Sequence, residues 1–214
     1  LAAGITHELA QPLGAVRTLS GNAVEFMKRG NLSTVEQNLG IIARLADQMG
    51  RIITPLKTFA RKSPAIPAPT DVAHAVGAAL FLLDQRLTTA GVSVVNHCEA
   101  ERAIAWCDQN RLEQVLINLI RNAADAMADS AHKTLTIEAT PDADGSLELS
   151  IADTGCGLPD AGALFEPFFT TKPAGEGLGL GLAISRDIVR EFGGDLRAEN
   201  RPEGGARFIL QLPA

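Results

Sequence analysis

The feature that most constrains this chain is a run of apolar residues spaced alternately four and three apart: Val35, Leu39, Ile42, Ala46, Met49, Ile53, Leu56 and Ala60. Such spacing puts every member on one stripe of an α-helix. A stripe kept up for about four heptads is buried in a bundle or coiled coil, not carried by a lone helix. A weaker seam precedes it, through Ile5, Leu9, Leu13, Val16, Ser20, Ala23 and Met27, and residues 29–32 read as the turn between two helices. Ser33 with Glu36 forms a capping box at the second helix start. Two helices enclose little core, so the seam predicts a homodimer that closes a four-helix bundle. Packing of the hairpin on the chain's own second domain is the alternative. Pro64, Pro67 and Pro69 then forbid a continued helix and mark 63–70 as a semi-rigid linker. The expected division is a hairpin over 1–62, the linker, and a second domain over 71–214.

The second domain mixes periods. Residues 71–87, 110–127 and 180–192 carry helical spacing, the first capped by Asp71 and the last ended by Gly193 and Gly194. Residues 92–97, 103–107, 134–140, 147–152, 196–200 and 206–212 read as strands, with a turn at 142–145. Helices and strands do not alternate strictly, so the expected class is α+β, a two-layer sandwich behind the helical hairpin.

Composition excludes several roles. With 46% hydrophobic and 21% charged residues the chain is expected to fold. Its net charge of −6 gives no general reason to bind nucleic acid or an acidic membrane, so a polyanion would need local positive charge or a recruited cation. Cys98, Cys107 and Cys156 lack metal-ligand spacing and read as reduced, buried thiols in a cytoplasmic setting. The longest apolar run, 76–83, is too short to span a bilayer. The chain starts at Leu1 inside a helical pattern, which reads as a fragment. Membrane contact, including an inner-membrane anchor, is expected only through an upstream segment.

Three segments carry chemistry. Asp153-Thr154-Gly155-Cys156-Gly157 follows a strand; a carboxylate there can accept from an amine, and the glycines admit a ligand close to the backbone, although the same pattern serves an ordinary turn. Gly175, Gly177, Gly179 and Gly181 alternate ahead of a helix, where free N–H groups form an anion site. No Gly-Lys-Ser/Thr closes a Walker loop there, and a flexible hinge is the plain alternative. Asn118 and Asn122 share a face of an apolar helix. Amide oxygens suit Mg2+, which keeps waters and takes phosphate oxygens; two capping or surface asparagines would look the same.

Together these segments resemble the ATP-binding domain of sensor histidine kinases, in the wider group with DNA gyrase, the MutL repair ATPases and a heat-shock chaperone, whose shared architecture is the Bergerat-type fold. Residues 118–122 look like the N box, 153–157 and 175–181 like the two glycine boxes, and Leu164-Phe165-Glu166-Pro167-Phe168-Phe169 like the F box. The resemblance implies that Asn122 coordinates Mg2+ and Asn118 supports phosphate or metal through water. It implies that Asp153 binds the adenine amine, with Gly155 and Gly157 shaping that pocket. Gly177, Gly179 and Gly181 would contact phosphates from a lid, and Lys172 would reach the terminal phosphates; Arg121 is a weaker candidate. The phenylalanines read as a lid anchor or as simple core.

His7-Glu8-Leu9-Ala10-Gln11-Pro12 lies in the first helix. His7 falls about 200° from the seam, with Gln11 on its face, and a mid-helix Pro costs about 3 kcal/mol and frees the carbonyl of Glu8. An idle surface histidine remains the plain alternative. The segment resembles the kinase H box, nearest the subgroup of dicarboxylate sensors. That match implies His7 as nucleophile, Glu8 as its base or orienting acceptor, and Gln11 as the group placing water in a reverse phosphatase reaction. It further implies a homodimer that passes the phosphoryl group to an Asp of a response regulator receiver domain. Hydrolytic relatives carry Glu where Asn118 stands, so transfer to His7 is favoured over ATP hydrolysis. An ATPase of the same fold and a silent nucleotide-binding scaffold are the alternative readings.

Overall fold

The heptad pattern folds as two long helices, α1 (Ala2–Lys28) and α2 (Leu32–Ala60). The structure is a computed structural model; it describes all residues except 1, 61–65, 99–102, 143–144, 160–162, 173–178 and 214, and no side chains of 2–8, 51–52 and 54–60. Gly30, at φ 72°, closes the turn between the helices, and the Asn31 N–H donates to Phe26 O at 3.0 Å. The cap differs from expectation. Asn31 Oδ1 accepts from the Thr34 N–H at 3.2 Å, while Ser33 and Glu36 lie within α2 and are exposed. Asn caps as well as Ser, and the left-handed glycine just before it delivers the chain at Asn31, two residues early. Helix α1 continues through Pro12, which is buried.

The seam has two sides. Ala23 and Asn38 are buried, and Val16, Leu19, Phe26, Ile42 and Met49 are half-buried. Leu32, Leu39, Ala46 and Ile53, at sevenfold spacing on α2, stay exposed, as do Leu13 and Met27 on α1. Hairpin packing within one chain therefore leaves an apolar stripe uncovered.

The second unit begins earlier than expected. Ala68–Asp71 forms β1, paired antiparallel with β3 (Ile104–Cys107), and the Thr70 hydroxyl donates to Cys107 O at 2.8 Å. The linker reading of 63–70 is corrected for its last three residues. Pro69 hid the strand, yet a two-stranded sheet has only edges, where a missing N–H is tolerated. Helix α3 (Val72–Ala90) starts at Asp71, whose carboxylate accepts from the His74 N–H, and stops at Gly91 with φ 70°. Asp108 caps α4 (Gln109–Ala126) in the same way through the Arg111 N–H.

The main sheet runs in the order β2-β4-β5-β7-β6. Edge strand β2 (Ser93–His97) is parallel to β4 (Thr134–Pro141). Strands β5 (Leu147–Ala152), β7 (Ala206–Leu212) and β6 (Asp195–Asn200) continue the sheet antiparallel. Helix α5 (Gly181–Glu191) ends against Gly193, at φ 86°. Leu116, Leu119 and Ile120 of α4, with Leu135, Ile137, Leu149, Ile151 and Leu210 of the sheet, are buried almost completely. The expected α+β class, a helical hairpin followed by a mixed sheet with its helix layer, holds. All three cysteines are free, but only Cys107 is buried, and Cys156 is exposed. Among the described residues no helix is long and apolar enough to cross a membrane.

Leu119 is fully buried on the face of α4 that carries the core. Leu119→Ala is expected to cost about 2–5 kcal/mol of stability, read from urea unfolding monitored at Trp106.

Candidate active site

Strand β5 delivers Asp153 to the interior, where it is 1% exposed. Its backbone prolongs the ladder to β7, the Asp153 N–H donating to Ala206 O at 2.9 Å. Carboxylate Oδ1 accepts from the Gly155 N–H at 2.8 Å and the Ala206 N–H at 3.2 Å. Among the described residues no hydrogen bond is made to Oδ2. Burial pushes the pKa of this carboxyl up, against the two N–H bonds and the Arg201 charge, which pull it down. A carboxylate oxygen kept from water with its lone pairs unused is suited to a ligand donor.

The loop after Asp153 is built around close approaches. A Cβ on Gly155 would lie 2.7 Å from Ala126 O, the end of α4, and the Cys156 N–H donates to that same oxygen at 3.1 Å. Thr154 Oγ1 donates to His132 O and accepts from the Thr134 N–H. Asn200 clamps the far side: its Oδ1 accepts from the Leu158 N–H at 2.7 Å and its Nδ2 donates to Leu158 O at 3.1 Å. A Cβ on Gly157 would meet that Oδ1 at 2.8 Å.

Helices α4 and α5 meet at Asn118. Its Nδ2 donates to the buried Ser185 Oγ at 3.0 Å, and Arg121 Nη2 lies 3.4 Å from its Oδ1. A guanidinium only donates, so Oδ1 is the amide atom turned to Arg121. Gly181 packs on the same amide, since a Cβ there would sit 2.5 Å from Oδ1. Asn122, one turn along α4, is half-buried, and its amide makes no hydrogen bond among the described residues. Helix α5 begins at Gly181 after Leu180 with no side-chain cap among the described residues, unlike α3 and α4.

The phenylalanine segment joins the second glycine segment. The Phe168 N–H donates to Gly179 O at 3.0 Å, and both residues have positive φ, 72° and 64°. For Phe that conformation is strained, and the contact with Gly179 holds it. Phe165 lies under the Arg186 guanidinium, 4.8 Å from ring centre to carbon.

The second unit thus brings Asn118, Asn122, Asp153, Gly155, Gly157, Gly179 and Gly181 into one connected region. Gly177 lies outside the described residues. Lys172 sits in a bend, its N–H donating to Thr170 Oγ1. His7, Glu8 and Gln11 all lie on α1; Gln11 is exposed, and the facing of His7 falls on side chains outside the described residues. Two surface depressions, of about 270 and 240 Å³, open at Gly194 and Gln211 and at Phe81 and Val94; none of the candidate site residues lines either, so chemistry and not cavity size locates the site.

Sequence reasoning missed Ser185, Asn200, Arg201 and Gly205. Arg201 Nη1 donates to Asp153 O at 2.9 Å. Gly205, at φ 85°, presses on that same oxygen, where a Cβ would come within 2.1 Å. Arg201-Pro202-Glu203-Gly204-Gly205 announces a turn between strands. That this turn clasps Asp153 follows only from the pairing of β5 with β7.

Comparison with known proteins places this geometry. A family profile described as "Histidine kinase-, DNA gyrase B-, and HSP90-like ATPase" matches residues 107–214. The chain belongs to that family. It is 37% identical over 214 residues to the "C4-dicarboxylate transport sensor protein DctB" of Rhizobium meliloti, covering 99% of this chain and 34% of the relative. The chain thus spans about a third of that relative's length. The solved catalytic domain of histidine kinase ThkA superposes with a TM-score of 0.60 at 26% identity, over 69% of this chain and 97% of that one. Histidine kinase ThkA in complex with response regulator protein TrrA shares the fold of nearly the whole chain, at a TM-score of 0.73 and 24% identity over 99% of this chain and 60% of the other. The likeness to a dicarboxylate sensor agrees with the subgroup suggested by Gln11 and Pro12.

Because Gly155 touches the end of α4, Gly155→Ala must displace the loop carrying Cys156 and Gly157. The expected result is about tenfold or greater loss of adenine nucleotide affinity, equivalent to about 1.4 kcal/mol, read by calorimetric titration with ADP.

Proposed function

We propose that this chain is the core of a two-component sensor histidine kinase. It transfers the terminal phosphoryl group of ATP to His7, and then to an Asp of a response regulator receiver domain. The observation carrying the nucleotide assignment is the buried Asp153 carboxylate, whose Oδ2 has no hydrogen bond among the described residues, beside the Gly155–Gly157 loop. An amino group on a flat base fits that acceptor, and the close backbone around it fits a planar ring. The uncapped start of α5 suits the phosphate end.

The donor set also fits Mg2+. Asn122 offers a neutral amide oxygen unclaimed among the described residues and takes the metal-ligand role, with Asn118, locked by Ser185, supporting phosphate or metal through water. Bound Mg2+ would supply charge neutralisation on the phosphates. Lys172, Gly177, Gly179 and Gly181 take the phosphate contacts of the lid.

In the transfer step a neutral ring nitrogen of His7 forms the N–P bond while the bond from phosphorus to the bridging oxygen breaks and ADP leaves. Glu8 accepts from the other ring N–H and sharpens the nucleophile. Asn118 cannot take a proton from water as a carboxylate would, which favours transfer over hydrolysis. Gln11, exposed on the same helix, takes the role of holding water for phosphatase action. The uncovered stripe of Leu32, Leu39, Ala46 and Ile53 supports a homodimer through a four-helix bundle. Membrane anchorage of a longer protein rests on the likeness to a transport sensor alone.

Incubation with labelled ATP and Mg2+ should give acid-labile, alkali-stable label on the chain. His7→Ala should abolish it, and Asn122→Ala or EDTA should lower it at least about tenfold. Phosphate release without label would instead assign an ATPase, and nucleotide binding with neither would assign a scaffold.

A further inference from the structure

Asp153 is an anion-forming group shut away from water, and the two backbone N–H groups on Oδ1 are neutral partners. Low local dielectric favours the protonated acid unless a positive charge stands nearby. The turn between β6 and β7 provides one. Arg201 closes that turn through its own N–H, which donates to Gly205 O at 3.0 Å, and sends Nη1 to Asp153 O. Its carboxylate neighbour, Glu203, lies 3.8 Å from Nη2 and is largely exposed, so the guanidinium charge is only weakly neutralised. Arg201 Nε is buried and finds no acceptor among the described residues. A buried donor without an acceptor is unfavourable, and closing a turn would not require it.

We propose that Arg201 is a positioning residue for nucleotide recognition: it fixes the end of β5 and supplies the positive charge that keeps the Asp153 carboxylate an anion for the ligand's amine. This rests on the reading of Asp153 as the amine acceptor. The charged groups around Asp153 support it. Arg201 is the one charged side chain among the described residues that acts on the carboxyl. Arg207, next to Ala206 on β7, has its charge engaged by Glu199 at 3.8 Å. The end of α4 contributes the uncharged Ala126, and the loop contributes Thr154 and Cys156. Burial already pushes the Asp153 carboxyl up; without Arg201 it rises further. Since the ionised form accepts the amine, binding is present above that value and lost as pH falls through it. Loss of Arg201 therefore moves the acid limit of binding to higher pH.

The test is ADP affinity between pH 5 and pH 9 for the wild type, Arg201→Lys and Arg201→Gln, with inosine diphosphate as the probe lacking the exocyclic amine. Arg201→Gln should shift the acid limb to higher pH, by more than the scatter of replicate titrations. Arg201→Lys, which keeps the charge, should restore most of that shift. Affinity for inosine diphosphate should change little in either variant. Equal loss in both variants with unshifted profiles would overturn the proposal in favour of simple packing, as would an Arg201→Gln profile matching the wild type. Urea midpoints of the variants identify a folding defect, and Arg201→Gln binding is then compared at a temperature where the variant is folded. Asp153→Asn separates the underlying reading: unchanged ADP affinity in that variant refutes Asp153 as acceptor, whereas a loss there with no Arg201 effect refutes only the role of Arg201.

Discussion

A carboxylate held out of water at the end of β5 is the constraint on which the site depends. Asp153 can sit there only because its own loop supplies the Gly155 N–H, β7 the Ala206 N–H and the β6–β7 turn a guanidinium. Two of those partners, Ala206 and Arg201, come from sequence positions some fifty residues away, so the sheet must be complete before the acceptor exists. The glycines follow from the same constraint. Gly205 is required where the turn backbone presses on Asp153 O, and Gly155 where the loop crosses the end of α4. Site and core are thus one piece of construction, not a loop set upon a scaffold.

Much of the fold was legible because its signals are local. The four-and-three spacing in α2, the Asp71 cap of α3, and the alternation in β4 and β5 each depend on a few neighbouring side chains. Strand β1 was hidden by Pro69, because propensity counts against Pro while an edge ladder tolerates it. The start of α2 was misplaced by two residues, because Asn31 and Ser33 are equally good caps and only the turn geometry at Gly30 chooses between them.

The candidate site divides along the same line. Asn118, Asn122, Asp153 and the glycines stood out by type and spacing. Ser185 and Arg201 did not, because a serine in a helix and an arginine in a turn are ordinary until their partners are known. Their importance lies in which distant group each meets, Asn118 for one and Asp153 for the other. Polar groups that orient other polar groups leave little trace in composition or period.

The bare start of α5 has a consequence for how this protein senses its ligand. Helices α3 and α4 carry their own Asp caps, whereas α5 has none and leaves its leading amides to whatever lies before it. An anion settling there would serve as the missing cap, so the first turn of the helix and the bound molecule would be stabilised by the same hydrogen bonds. Occupancy and local order would then rise and fall together. The Gly181–Asn118–Ser185 contact would carry that change in firmness directly into α4, without any need for a large displacement.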